Sequence, residues 1–212
     1  AAAAAGGGAE PGNPLLNGRT ASIAKVENSG AASYKIPIVV PPGTNAVAPN
    51  LSFDYNSQSQ DNGLLGIHWK LVGLPTIERC PRTVAQDGFR GNINYDLNDR
   101  FCLDGARLIL VSGASYGADN SEYRTEVDSF VKVKAFGSAG NGPSYFKVWT
   151  KEGLTMEFGN TTDSKVEAQG KASARVWALN KLQDTSGNYL TVTYTEASAN
   201  ADYRPKRIDY TN

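Results

Sequence analysis

The chain has 212 residues, enough to bury the core of one large β domain or two small ones. Twenty-one Lys and Arg balance 21 Asp and Glu, so the formal net charge is zero, which argues against nucleic-acid or anionic-membrane binding through bulk charge and leaves only local patches. No apolar run approaches the roughly 20 residues of a membrane helix; the longest, Ile36 to Val40, stops at Pro41-Pro42, and the chain reads as soluble, with no membrane insertion by this segment.

Residues 1–20 (AAAAAGGGAEPGNPLLNGRT) lack an apolar stretch with a basic flank and read as a flexible leader rather than an intact signal peptide. Strand text begins at Ser33, with Tyr34 to Val40, then the Pro41-Pro42-Gly43 turn, then Leu51 to Tyr55. Alternation there puts Leu51, Phe53 and Tyr55 on one face. Asn56 to Gly63 is polar and reads as a loop. Gly63 to Gly105 holds both cysteines, the only histidine and one of three tryptophans. Its Gly-Leu and Asp-Gly pairs look like backbone punctuation, since glycine reaches positive φ without a Cβ clash.

A short apolar strand follows at Arg107 to Val111, and further strand text at Arg124 to Val127 and Phe130 to Phe136. In the last, Val131, Val133 and Ala135 share one face and Lys132 and Lys134 the other. Gly137 to Pro143 is a Gly-rich loop. Two hairpins are then predicted. One joins Phe146–Thr150 to Leu154–Phe158 across Lys151-Glu152-Gly153. The other joins Val176–Leu182 to Tyr189–Tyr194 across Asp184 to Asn188. Arg207 to Tyr210 begins what would be a third. Helical periodicity is nearly absent, with room for one turn in Asp163 to Ala174. Twenty-two glycines and ten tyrosines fit this picture. The fold class is all-β, antiparallel strands and hairpins with little or no helix.

Several constellations have chemical precedents, and each has a plainer reading. Gly113-Ala114-Ser115-Tyr116-Gly117 matches G-x-S-x-G, but the residues after it do not start an amphipathic helix and His68 lies upstream; a Gly/Ser-rich loop fits better. His68, between Ile67 and Trp69, reads as a packed or rim histidine. Asp96, Asn98, Asp99 and Asp104 loosely resemble a calcium loop, yet Phe101 and Arg107 stand where an EF-hand needs Gly and Glu; turn chemistry is the better reading. Trp69, Trp149 and Trp177 suit either cross-strand packing or a sugar-stacking surface. No phosphate loop, Rossmann fingerprint or zinc motif is present, and no catalytic, cofactor or metal residues are assigned. Cys80 and Cys102 are too few for a disulfide scaffold or a four-ligand zinc site. Either they pair, closing a loop of about 23 residues and stabilising the fold by roughly 3 kcal/mol, or they are separate buried thiols.

One resemblance runs through the chain in order. Ser29 to Tyr34 (SGAASY), Pro41 to Thr44 (PPGT), Leu51 to Ser57 (LSFDYNS), Gly63 to Trp69 (GLLGIHW), Arg79 to Thr83 (RCPRT), Asp99 to Gly105 (DRFCLDG) and Glu122 to Glu126 (EYRTE) resemble the N-terminal domain of the SpvB-type family. That domain opens the B components of insecticidal toxin complexes and many large secreted bacterial RHS/YD-repeat proteins. Trp177 to Lys181 with Asp184 to Asn188 is similar to the RHS-type strand text that follows it. The resemblance implies a segment that begins an RHS-shell-like sheet around a C-terminal toxin, with no catalytic residues and no cofactor of its own. Its partners would be the rest of a larger RHS-type polypeptide or toxin-complex subunits, and self-association through exposed strand edges is a further possibility. A secreted, extracellular bacterial setting follows, and with it a Cys80–Cys102 disulfide. The implied organisation is a leader at 1–20, an SpvB-type β region at 21–144 and an RHS/YD-like hairpin region at 145–212. The rival reading is an extracellular glycan- or surface-binding module using Trp69, Trp149 and Trp177.

Overall fold

The computed structural model describes residues 22–211 apart from 61, 64, 198, 200 and 201; the expected leader lies outside the described residues. Contacts divide the chain into two units, one built from the segments ending at Pro41 and Leu74, the other from Pro42–Ala48 and from Pro75 onward.

The first unit holds β1 (Ile23–Val26), β2 (Ala32–Ile38), β3 (Leu51–Asn56), β4 (Asn62–Gly63), β5 (Gly66–Ile67) and β6 (Trp69–Val72). Four of these form an antiparallel sheet in the order β1-β2-β3-β6, and β4 pairs β5. The register sets Ile36 opposite Phe53, Ile38 opposite Leu51, and Phe53 opposite Leu71. Because strand side chains alternate faces, Leu51, Phe53 and Tyr55 fall together on one face, as the sequence pattern requires. Lys35 and Lys70 flank Asp54 on the other. Gly73 ends the sheet at φ +107, where a Cβ would lie 2.0 Å from Asn50 O; only glycine fits there.

The second unit contains β7 (Thr76–Cys80), α1 (Val84–Asp87), β8 (Arg100–Leu103), β9 (Ala106–Ser112), β10 (Glu122–Thr125), β11 (Lys132–Phe136), β12 (Tyr145–Trp149), β13 (Thr155–Phe158), β14 (Lys165–Glu167), β15 (Ala174–Gln183), β16 (Tyr189–Ala197) and β17 (Asp202–Asp209). Strands β7 to β13 are neighbours in chain order, and β15 pairs with both β13 and β7, closing an eight-stranded barrel. Closure depends on the length of β15. Val176 to Ala178 bond to β7, while Leu179 to Gln183 bond to β13. The rest of the β7-side edge, Lys181 to Gln183, carries β16, and β17 pairs along β16. This β16–β17 hairpin therefore leaves the ring.

Alternation fills the barrel. Ile77, Phe101, Leu108, Tyr123, Val133, Ala135, Phe146, Val148, Phe158 and Trp177 are all buried, while Lys132 and Lys134 face out, as their spacing requires. The two predicted hairpins are β12–β13 and β15–β16. The expected third strand start, Arg207 to Tyr210, falls largely in the C-terminal end of β17, so it completes a hairpin with β16 instead of opening one. The expected turn near Asp163 is a 3-10 turn at Thr162–Ser164, closed by reciprocal Thr161 and Ser164 hydrogen bonds; β14 then takes up part of the stretch. The punctuation segment holds more regular structure than its glycines suggest, with β5 to β8 and α1 inside it. The boundary expected between 144 and 145 lies between β11 and β12, which pair over five residues in one sheet.

Candidate functional site

The charge buried inside the barrel is Arg79, on the inward face of β7 with Ile77, whereas the buried Arg107 lies on the opposite face of its strand from Leu108. Its side chain is wholly buried, as is that of Asp99, whose carboxylate accepts from Arg79 Nη1 at 2.9 Å. The guanidinium also donates through Nε to Ala174 O (2.7 Å), Nη1 to Asp96 O (3.1 Å) and Nη2 to Asn141 O (2.7 Å). Phe101 and Trp177 rings lie 5.7 and 5.8 Å from its central carbon. Asp99 in turn accepts from Asn94 N at 2.9 Å and Tyr95 N at 2.7 Å. Buried ions persist only when paired and hydrogen-bonded, and this pair is. These bonds fasten the 81–99 excursion to the barrel.

Around it the aromatic side chains interlock. Trp177 packs edge-on against Phe101 (5.3 Å) and Phe146 (5.1 Å) and donates through Nε1 to Pro143 O. Gly159 sits against it at φ +72, where a Cβ would be 2.3 Å from the indole Cδ1. Tyr116 OH accepts from Phe101 N at 2.8 Å and donates to Leu108 O at 3.0 Å. Burial holds its hydroxyl well above the ordinary phenol range. Burial raises Tyr123 as well, against hydrogen bonds from Ser121 and Gly117 N.

A second charged group lies on the barrel's outer side. Asp87, at the end of α1, receives Arg100 Nε at 3.0 Å, Arg107 Nη2 and Thr83 N. Burial would raise this carboxyl, but the Thr83 N–H and the two guanidiniums outweigh it and hold the group below its usual range. Cys80 and Cys102 are joined by a disulfide beside this cluster. Both line an open cavity of about 370 Å³ with Thr83, Gln86, Arg107 and Glu126.

The other sequence candidates are dispersed. Ser115 lines a separate 480 Å³ cavity with Arg100, Tyr116 and Asp119, and its carbonyl closes a turn onto Ala118 N. The chain's one histidine, His68, belongs to the first unit, at φ +70, its Nδ1 against Ser59 O and its ring edge-on to Tyr55. The calcium-like residues are spent on the protein's own turns. Asp96 accepts from Asn98 N, Asp104 from Thr76 N, and Asp99 from Arg79. Among the described residues no group of three or more His, Cys, Asp or Glu is placed to hold a metal ion, and no helix is long and apolar enough to cross a membrane. The three tryptophans do not share a role. Trp177 is fully buried and is withdrawn from any sugar-stacking surface, because the barrel needs its volume. Trp149 lies half-exposed on the outer face under Lys132 Nζ (5.7 Å). Trp69 packs with Tyr34 and Tyr55 in the first unit. Sequence reading missed Arg79 and Asp99 as partners. The available signal was an arginine two residues from Ile77 on the inward face of a strand.

The family model described as Salmonella virulence plasmid 65kDa B protein matches residues 26–209. The chain belongs to the SpvB family. Solved structures share its fold. A TcdB2-TccC3 crystal structure aligns with a TM-score of 0.73 at 16% identity, over 90% of this chain and 10% of that one. The Photorhabdus luminescens Tc holotoxin pore aligns at 0.70 and 17%, over 91% and 10%. The N-terminal domain of effector protein SpvB from Salmonella typhimurium strain LT2 aligns at 0.62 and 16%, over 82% and 64%. The chain thus spans about a tenth of the toxin-complex chains and under two thirds of the SpvB domain. Comparison with curated protein sequences gives no match.

Proposed function

We propose that this SpvB-family module is a non-enzymatic structural part of a larger secreted bacterial RHS/toxin-complex-like protein, where it opens a β-shell that encloses a C-terminal toxic domain. The observation that carries the reading is the way β15 divides its edges. One part closes the barrel through β7 and β13, and the remainder carries the β16–β17 hairpin out of the ring. A closed barrel has no free edges of its own, so the departing hairpin is the natural seam for continuing sheet. The barrel interior supports a passive role. Its buried ion pair and tyrosine hydroxyls are engaged in hydrogen bonds that fix loops, leaving them poorly suited to acid–base work. Partners on this reading are the rest of a longer polypeptide or toxin-complex subunits, and the setting is extracellular.

The test is protease protection in the intact protein. Segments C-terminal to this module should resist digestion, and disrupting the β16–β17 seam with paired prolines at Val192 and Thr195 should expose them. Unchanged protection would refute the shell-opening role. A panel of esterase and peptidase substrates assayed with wild type and Ser115→Ala addresses catalysis, and any turnover lost in that variant would overturn the non-enzymatic reading. A second reading, glycan binding, has one observation in its favour, the half-exposed Trp149 on the outer face. Saturable binding on a glycan array that Trp149→Ala removes would support it.

A further inference from the structure

The two sulfurs of the disulfide sit in unlike surroundings. Cys80 is partly exposed and Cys102 is 6% exposed. In the β7–β8 register Cys80 lies opposite Arg100, and Cys102 lies opposite Glu78. Arg107 projects from β9 opposite Cys102, but its guanidinium crosses over to Cys80, with Nη1 3.5 Å from Cys80 Sγ and 3.0 Å from Pro81 O. Asp87 is shared by Arg100 and Arg107, so this trio keeps one positive charge in excess beside Cys80. Glu126, at the cavity mouth, is held by Gln86 Nε2 and is exposed to solvent, where screening weakens it. The cavity, which both cysteines line, gives a small molecule access to the disulfide.

We propose that Cys80 and Cys102 form a redox-active pair in which Cys80 is the exchanging sulfur, held as thiolate by Arg107, and Cys102 is the resolving thiol, with a low-molecular-weight thiol as co-reactant. A cation beside a thiol stabilises its anion, whereas burial favours the neutral form. Exposure and charge therefore select the same sulfur. In reduction, an external thiolate attacks Cys80 Sγ, the Sγ–Sγ bond breaks, and Cys102 leaves and takes a proton from solvent. A second thiolate then attacks the external sulfur of the mixed disulfide, and Cys80 departs as a thiolate against Arg107. Two external thiols are oxidised to one disulfide for each protein disulfide reduced. Low leaving-group basicity speeds the second step. Oxidation runs the same steps backwards. The consequence is local: the disulfide ties down the excursion at 81–99, which after reduction would rest on noncovalent ties, among them those of Asp99 and Asp87 and the Arg82–Gly91 bridge.

The test uses the purified protein with glutathione as probe. Native protein treated with reduced glutathione, acid-quenched and peptide-mapped, should carry the adduct on Cys80. Fully reduced protein should show iodoacetamide reactivity at Cys80 with a pH midpoint at least one unit below the ordinary thiol value of about 8.5. Arg107→Gln should slow that alkylation about tenfold at neutral pH, and Arg107→Lys should retain most of it. An adduct on Cys102, an ordinary or higher midpoint, or a disulfide that glutathione never opens in the folded protein would each overturn the proposal. If Arg107→Gln fails to fold, the adduct site and the wild-type midpoint decide alone.

Discussion

Removing the carboxylate of Asp99 should be among the most damaging single changes in the barrel. Its partner Arg79 is wholly buried at 2.9 Å. At that distance, with an effective dielectric of about 20, Coulomb attraction is roughly 6 kcal/mol, much of it offset by desolvation of the two ions. Asp99→Ala keeps the desolvation of Arg79 and loses the attraction, a combination that costs about 3–5 kcal/mol for buried pairs. The Asn94 and Tyr95 N–H groups lose their acceptor as well. They are part-buried, so water can replace some of that loss. Against a typical stability of about 5–15 kcal/mol the variant would be marginal. Urea unfolding followed by tryptophan fluorescence measures the loss, because Trp177 lies beside Arg79. Arg79→Met with Asp99→Leu removes both charges, and the double variant should be less destabilised than Asp99→Ala alone. The reasoning is refuted if Asp99→Ala costs under about 1 kcal/mol, or if the two single losses simply add in the double variant.

Trp177→Ala should cost about 3–5 kcal/mol, since it empties a fully buried indole site, whereas Trp149→Ala on the outer face should cost about 1 kcal/mol or less; equal midpoint shifts in denaturation would contradict the assignment of inside and outside. Replacing Cys80 and Cys102 together with Ala should lower stability by roughly 3 kcal/mol, the closure entropy of a loop of this length, measured by thermal melting under non-reducing conditions. Glu196 gives a pH signature. Burial first, and then the Glu167 carboxylate, raise its folded-state pKa above the ordinary 4.5. The folded state thus holds this proton more tightly than the unfolded chain, and the group's contribution is full below 4.5 and lost as pH rises through the folded value. Glu196→Gln should be more stable than wild type at neutral pH, with the advantage vanishing in acid. A difference that is flat with pH would show that Glu196 is not perturbed.

The residues show how far the sequence reaches. Alternation alone put Val133 and Ala135 on one face and Lys132 and Lys134 on the other, and the Gly-centred turns at 151–153 and 184–188 announced two hairpins, because strand period and turn chemistry are local properties. The family was legible in seven ordered motifs. Two things had no local signature. One was the pairing of Val176 with Glu78 that closes the barrel, since long-range register depends on how the intervening sheet twists and curls. The other was the choice among chemically similar residues. Nothing in the text separates Trp177 from Trp149, or Asp99 from Asp96, yet the fold buries the first of each pair and leaves the second only partly buried. Local sequence determined that this chain would be strands and tight turns; tertiary closure decided which side chains became core, which charges had to pair in the dark, and which sulfur faces solvent, because burial exists only once distant strands have met.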